Sequence, residues 1–190
     1  MSADAAFVPP PLRRFIWDIQ SLVELDGGER EILLIGRDLT ARLLAEADWA
    51  PKTFTAPGAG GAAQYHVYAD SMGRFAIVLT ALAPGAALAV ERPGCWELYG
   101  LARGALLRDD SGRWSQPGAV EAAGARGAGT DRLSAGPNEG ALAIHVYGGE
   151  IAGIVRRRIR PDGGETLLPF ANPADAPPFD IFAIQARIED

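Results

Sequence analysis

The sequence predicts a mainly β domain, a sandwich or barrel, preceded by two α-helices. Two observations carry this. Up to Asp48 the apolar residues recur every three or four positions. From Tyr65 onward the pattern changes to short apolar runs broken by turn residues at fairly regular intervals. A chain of 190 residues can bury one core well and is too short for two ordinary domains. The expected organisation is therefore a helical segment over residues 1–52 packing on a β unit over residues 64–190.

The elements follow in order. Leu12, Phe15, Ile16, Ile19, Leu22 and Val23 form the stripe of an amphipathic helix ending near Gly27 and Gly28. Ile32, Leu33, Ile35, Leu39, Leu43 and Leu44 repeat the stripe up to Asp48, and Pro51 closes the helical part. Residues 53–63, TFTAPGAGGAA, read as a connector; no Gly-Lys-Ser/Thr follows, so these glycines are not a phosphate loop. Strands are expected at 65–68, 75–82, 97–101, 105–107, 113–114, 141–147 and 151–159. Turns are expected at 70–73 and 109–112, and a hairpin at Asp162-Gly163-Gly164 leads into residues 165–169. Residues 118–129, rich in Gly and Ala, contain a loop, and 179–188 fit a short helix or a strand equally well.

Composition excludes several classes of function. A formal net charge of −6 and a pI near 5.0 argue against nucleic-acid binding, which needs a concentrated basic surface. The only basic run is Arg156-Arg157-Arg158, where alternation turns Arg157 away from its neighbours and makes it a candidate anion contact in a cavity. No apolar run approaches the roughly 18 residues of a membrane span. The start, MSADAAFVPPPLRRF, lacks the pattern of an export signal, so the cytoplasm is the expected compartment. One cysteine, Cys95, rules out an internal disulfide, and with no nearby histidine in sequence it reads as a structural thiol.

The stretch from Pro84 to Gly104 holds the spacing Gly85-x5-Glu91-x-Pro93-x3-Glu97-x6-Gly104. This resembles the first cupin motif, G-x5-H-x-H-x3-E-x6-G, with both histidines replaced. The helical start, the stretch Tyr65-His-Val-Tyr-Ala-Asp-Ser-Met-Gly-Arg-Phe75 and the stretch Ile144-His-Val-Tyr-Gly-Gly149 extend the likeness over about Leu12 to Phe170. In this order the segments resemble the thiol dioxygenases, the cysteine and 3-mercaptopropionate dioxygenase-like cupins. The resemblance implies a double-stranded β-helix, a jelly-roll barrel. In that family three histidines hold ferrous iron. The corresponding positions here are Glu91, Pro93 and a place near Thr130 or Asp131, so the three-histidine Fe(II) site is not expected. The family's Ser-His-Tyr relay reads Ala143, His145, Tyr147, and the place of its substrate-carboxylate contact is nearest to His66.

Two readings follow. In the first, the chain is a divergent thiol-dioxygenase-like cupin that binds a small molecule or partner in the barrel without thiol oxidation. His66 and Arg157 are then ligand contacts, and His145 and Tyr147 form a hydrogen-bonded acid/base pair. In the second, Glu91, Glu97 and Asp131, with His145 as a fourth ligand, hold a hard cation such as Mn or Mg, or Ni, in a metal-dependent enzyme. The bland alternative to the metal site pairs these carboxylates with arginines such as Arg92, Arg103 or Arg132. Equal strand parity predicts that Glu91, Glu97, Asp131, His145 and Tyr147 converge on one pocket with His66 at its edge. No nucleic-acid or membrane partner is expected, and a homo-oligomer is compatible with the sequence.

Overall fold

The computed structural model describes residues 8–25, 28–108 and 112–185. Helix α1 spans Pro10–Glu24 and α2 spans Glu29–Ala45. Pro10 and Pro11 occupy the first turn of α1, where a missing N–H costs nothing. Its buried stripe is Leu12, Phe15, Ile16, Ile19 and Leu22, as the spacing predicts. A 3-10 turn over Lys52–Phe54 leads into the β region.

Eleven strands follow: β1 Ala62–Ala69, β2 Ala76–Leu82, β3 Ala87–Glu91, β4 Glu97–Arg103, β5 Leu106–Arg108, β6 Trp114–Ser115, β7 Val120–Ala123, β8 Thr130–Ala135, β9 Ala141–Tyr147, β10 Arg156–Ile159 and β11 Glu165–Leu167. A short helix α3, Ile181–Ile184, is capped by the Asp180 carboxylate, which accepts from the Ala183 N–H at 2.9 Å. That resolves the tail in favour of a helix. The strand expected over 151–159 is confined to β10, and β7 and β8 lie in a region whose sequence shows little apolar alternation. The helix end at Gly27, most of the turn at 109–112 and the last residues up to Ile188 lie outside the described residues.

The strands build two antiparallel sheets, β1-β2-β9-β4-β7 and β11-β10-β3-β8-β5-β6. The orders β2-β9-β4-β7 and β3-β8-β5-β6 are those of an eight-stranded jelly roll, extended at its edges by β1 and by the β10–β11 hairpin. This is the mainly β jelly-roll barrel with two preceding helices that the sequence predicts.

The five-stranded sheet has two different faces. Tyr65, Val67, Ile77, Leu79, Leu98, Ile144 and Val146 point outward into one core with α1 and α2. Close approach is needed here: a Cβ on Gly36 would lie 2.6 Å from Leu98 Cδ1, and one on Gly100 would lie 2.9 Å from Leu44 Cδ1. The alternate residues face the barrel interior. Tyr99, Leu101 and Ala143 meet Leu88, Val90, Leu106 and Leu133 of the other sheet in a second core. Among the described residues no helix is long and apolar enough to cross a membrane.

The glycine that ends the motif is demanded by geometry. Gly104 sits at φ +77°, and an added Cβ would collide with the carbonyl oxygen of Gly140. Gly104→Ala is therefore expected to destabilise the fold by clearly more than about 1 kcal/mol, read as a lower urea midpoint. A Gly73→Ala control, at φ +67° with nothing within 4 Å of the added Cβ, should cost less.

Candidate functional site

The polar end of the barrel is built around Glu97, the first residue of β4. Its neighbour across the ladder is Tyr147, and His145 on the same strand lies opposite Tyr99. These side chains share the interior face. Glu97 is 6% exposed and His145 1%. The carboxylate Oε1 lies 2.9 Å from His145 Nδ1, and Oε2 accepts from Arg108 Nη2 at 3.0 Å. Burial alone would push the carboxyl up, but the hydrogen bond from His145 and the Arg108 charge hold it at about 2.

The same Arg108 Nη2 donates to Asp131 Oδ2 at 3.0 Å, so one guanidinium bridges the two sheets. Arg126 Nη2 reaches Asp131 Oδ2 at 2.8 Å and Glu97 Oε2 at 3.4 Å, and Arg92 Nε donates to Asp131 Oδ1 at 2.7 Å. Arg108 also lies 4.8 Å over the Tyr99 ring and 3.6 Å from Glu121. The barrel end is thus filled by interleaved guanidinium and carboxylate groups. What is left is a cavity of about 10 Å³ bordered by Glu91, Pro93, Glu97, Arg108, Asp131, His145 and Tyr147. That is room for about one water.

The five residues expected to converge do border this one cavity. The candidate residues differ from expectation in four ways, two within this set and two at Arg157 and His66. Glu91 has the wrong parity for a metal ligand. It pairs with Thr130 while Val90 pairs with Asp131, so Glu91 and Asp131 point to opposite faces of the ladder. The Glu91 carboxylate turns to Arg157 at 3.6 Å instead.

Arg157 in turn pairs with Ala89 and lies on the outer face beside Glu165, whereas Arg156 and Arg158, paired with the interior residues Val90 and Leu88, have the inward parity, and Arg156 is the one at the polar end. His145 and Tyr147 are stacked, with ring centroids 5.7 Å apart and planes 9° apart, and the hydrogen-bond partner of His145 is Glu97 rather than Tyr147. His66 does not border the small cavity. It lies in the row His66, Val78, His145 across three strands and stacks on Phe170 at 5.1 Å.

The geometry decides how far the residues suit a metal. The chain holds two histidines in all, so a site of three imidazoles cannot be built from it. Glu97 and Asp131 already have oxygens bound by Arg92, Arg108 and Arg126, and a cation would have to displace those guanidinium groups. Among the described residues no three histidine, cysteine or acidic side chains gather as a metal ion needs. The expected set of Glu91, Glu97 and Asp131 with His145 does not fit Mn, Mg, Ni or iron.

Arg108, Arg126 and Arg156 were not singled out by the sequence reading. For Arg108 a signal exists, since Leu106 and Arg108 share one face of a strand whose apolar member is in the core. Arg126 lies on a glycine-rich loop and gives none. Cys95 is half-buried at the mouth, and burial pushes its thiol up, as expected of a structural cysteine.

No protein-family model matches this chain. Among solved structures it is similar to an RmlC-like cupin protein from Ralstonia eutropha JMP134, at 10% identity and TM-score 0.44 over 64% of this chain and 74% of the other. It is also similar to a protein of unknown function with a cupin-like fold from the same organism, at 13% identity and TM-score 0.42 over 60% and 69%. A third likeness is to an oxalate oxidase in complex with the substrate analogue glycolate, at 20% identity and TM-score 0.42 over 56% and 58%. The strand order, not these likenesses, defines the fold.

The ion-pair cluster makes two measurable statements. The folded-state pKa of Glu97 lies below its ordinary value near 4.5, so its stabilisation is complete above that pH and is lost as pH falls toward about 2. Glu97→Gln should cost about 3 kcal/mol at pH 7 and flatten the stability profile over that acid window, followed by urea unfolding at stepped pH. Arg108→Ala leaves the buried Glu97 and the partly buried Asp131 short of a donor and is expected to cost about 3–5 kcal/mol in the same assay.

Proposed function

We propose that this chain is a divergent thiol-dioxygenase-like cupin that binds a small carboxylate-bearing molecule at the barrel mouth and does not oxidise thiols. The arginine–carboxylate cluster stands where the family holds its iron, and the ligand contact lies beside it. The observation that carries the reading is Arg156. Its guanidinium is half-buried and faces the interior, and among the described residues it has no carboxylate within ion-pair range. Its guanidinium makes a 3.5 Å hydrogen bond to the Leu168 carbonyl and lies over the face of Phe170, 3.6 Å from the ring centroid. A desolvated cation without a counterion is costly, and burial pushes Arg156 below its ordinary range.

The surroundings suit an anion with a short apolar body. His66, on the other side of the mouth, stacks on the same Phe170 and has a buried Nε2 with no hydrogen-bond partner. Burial pushes its imidazole down. Val78, Tyr147 and Ile151 form an apolar cluster at this end, with Ile154 and Phe170 packed against it. A carboxylate that meets Arg156 and accepts from His66 would relieve both groups, and its chain would lie on Phe170.

The test is a binding measurement. Propionate and 3-mercaptopropionate should raise the melting temperature of the wild-type protein, an effect lost in Arg156→Met and kept in Arg157→Met. Equal responses in both variants would refute the site. Oxygen consumption with cysteine or 3-mercaptopropionate and added ferrous iron should stay at the background rate, and turnover dependent on iron would overturn the non-oxidative reading. Mn2+ or Ni2+ should leave the melting temperature unchanged, because arginines hold the carboxylate oxygens that these ions would need.

A further inference from the structure

The segment that carries Phe170 closes the free edge of the five-stranded sheet. Strand β1 stands at the end of the order β1-β2-β9-β4-β7, so one side of its backbone has no strand beside it. The stretch from Pro169 to Phe179, PFANPADAPPF, covers that side, but four of its residues are prolines with no N–H to donate. A regular ladder is not available to it. Near one end the Ala171 N–H donates to the Gln64 carbonyl at 2.8 Å. At the other, the Phe179 N–H donates to the Val67 carbonyl at 2.8 Å and the Phe179 carbonyl accepts from Ala69 at 3.2 Å.

Between those ends the Asn172 side chain takes the place of a strand residue. Its Oδ1 accepts from the His66 N–H at 2.9 Å, and its Nδ2 donates to the carbonyls of His66 at 2.8 Å and Ala176 at 3.2 Å. A carboxamide sets a donor and an acceptor side by side, and so reproduces the pair of bonds that two facing strand residues exchange. Ala176 is buried in the helix-side core, which anchors the segment beyond the clip. Two residues before Asn172, Phe170 lies against both groups assigned to the ligand, with His66 stacked at 5.1 Å and Arg156 over the ring at 3.6 Å. His66 is thus held twice by one segment, at its backbone by Asn172 and at its ring by Phe170.

We propose that Asn172 is the positioning residue of the anion site, the clip that holds Phe170 against His66 and Arg156, and that ligand binding and docking of residues 170–179 on β1 are coupled. The inference rests on the reading of His66 and Arg156 as ligand contacts. Asn172 acts through His66 and Phe170. Without its carboxamide the His66 N–H and carbonyl lose these partners, and the wall of the site is no longer fixed at the point where it meets the imidazole. A carboxylate drawn to Arg156 favours the docked segment, and by linkage docking raises the affinity for the carboxylate.

The first measurement needs no ligand. Burial holds the His66 imidazole below its ordinary value near 6.5, and the charged groups that face it are Glu150 and Arg156. In Asn172→Ala, which leaves both in place, an NMR titration should show the His66 pKa rising toward that value as the ring gains solvent. Gly104→Ala, at the other end of β4, lowers stability elsewhere and should leave it unmoved. Propionate should bind Asn172→Ala about tenfold more weakly than wild type, and Gly104→Ala as wild type does. An unmoved His66 pKa, or equal affinity in Asn172→Ala and a wild type that binds propionate, overturns the proposal. A wild type that binds none refutes the anion site instead, and the ligand-free titration still decides whether Asn172 positions His66. If Asn172→Ala does not fold, hydrogen exchange of wild type replaces it: saturating propionate should slow the amides of His66, Ala171 and Phe179 together, and absent or unequal slowing sinks the coupling.

Discussion

A carboxylate buried inside the end of a β-barrel must be matched from several sides or it destabilises the fold around it. Glu97 meets that condition through a histidine two residues before the end of β9 and an arginine at the end of β5, elements from opposite sheets. Removing such a charge from water costs several kcal/mol, and only close, oriented partners offset it. The match fixes more than itself. It sets how the His145 ring is turned, which way Arg108 crosses the barrel, and where Asp131 must stand to share that guanidinium.

The rest of the architecture separates this polar end from two apolar regions. On the outer face of the five-stranded sheet, Gly36 and Gly100 let α2 lie almost against the strand, so that face belongs to the helix core. Inside, Leu88, Leu101, Leu106 and Leu133 fill the barrel below the charged layer. The charges are thus confined to one end. Arg126 is the most exposed of the three arginines there, and Arg156 sits beside Phe170 at the same mouth. A jelly roll commonly uses this end for ligand chemistry because its walls are rigid strands. Here those walls carry arginine and carboxylate groups in contact with one another.

How much of this could be read from the sequence differs from feature to feature. The helix stripes, the hairpin at Gly163 and the long apolar strands β2 and β9 show clear periodicity, and the motif spacing from Gly85 to Gly104 pointed to the barrel. Strand β8 shows little, because TDRLSA alternates charged and small residues with a single leucine. The convergence of Glu97, Asp131, His145 and Tyr147 followed from parity. The placing of Glu91 and Arg157 did not, since each lies one residue away from an inward neighbour, and a period of two turns an error of one into the opposite face.

The sequence by itself determined that two helices precede a β unit, the glycines that only special backbone can use, and the impossibility of three imidazole ligands in a chain with two histidines. These are local or compositional properties, and no long-range contact alters them. Only the tertiary structure decided that Arg92, Arg108 and Arg126, from three separate segments, would meet two carboxylates in one layer. It also decided that Arg156 rather than Arg157 would face inward. Ladder register and the crossing of side chains between sheets depend on strands distant in sequence, and a guanidinium on a loop carries no sign in the sequence of the carboxylate it will reach.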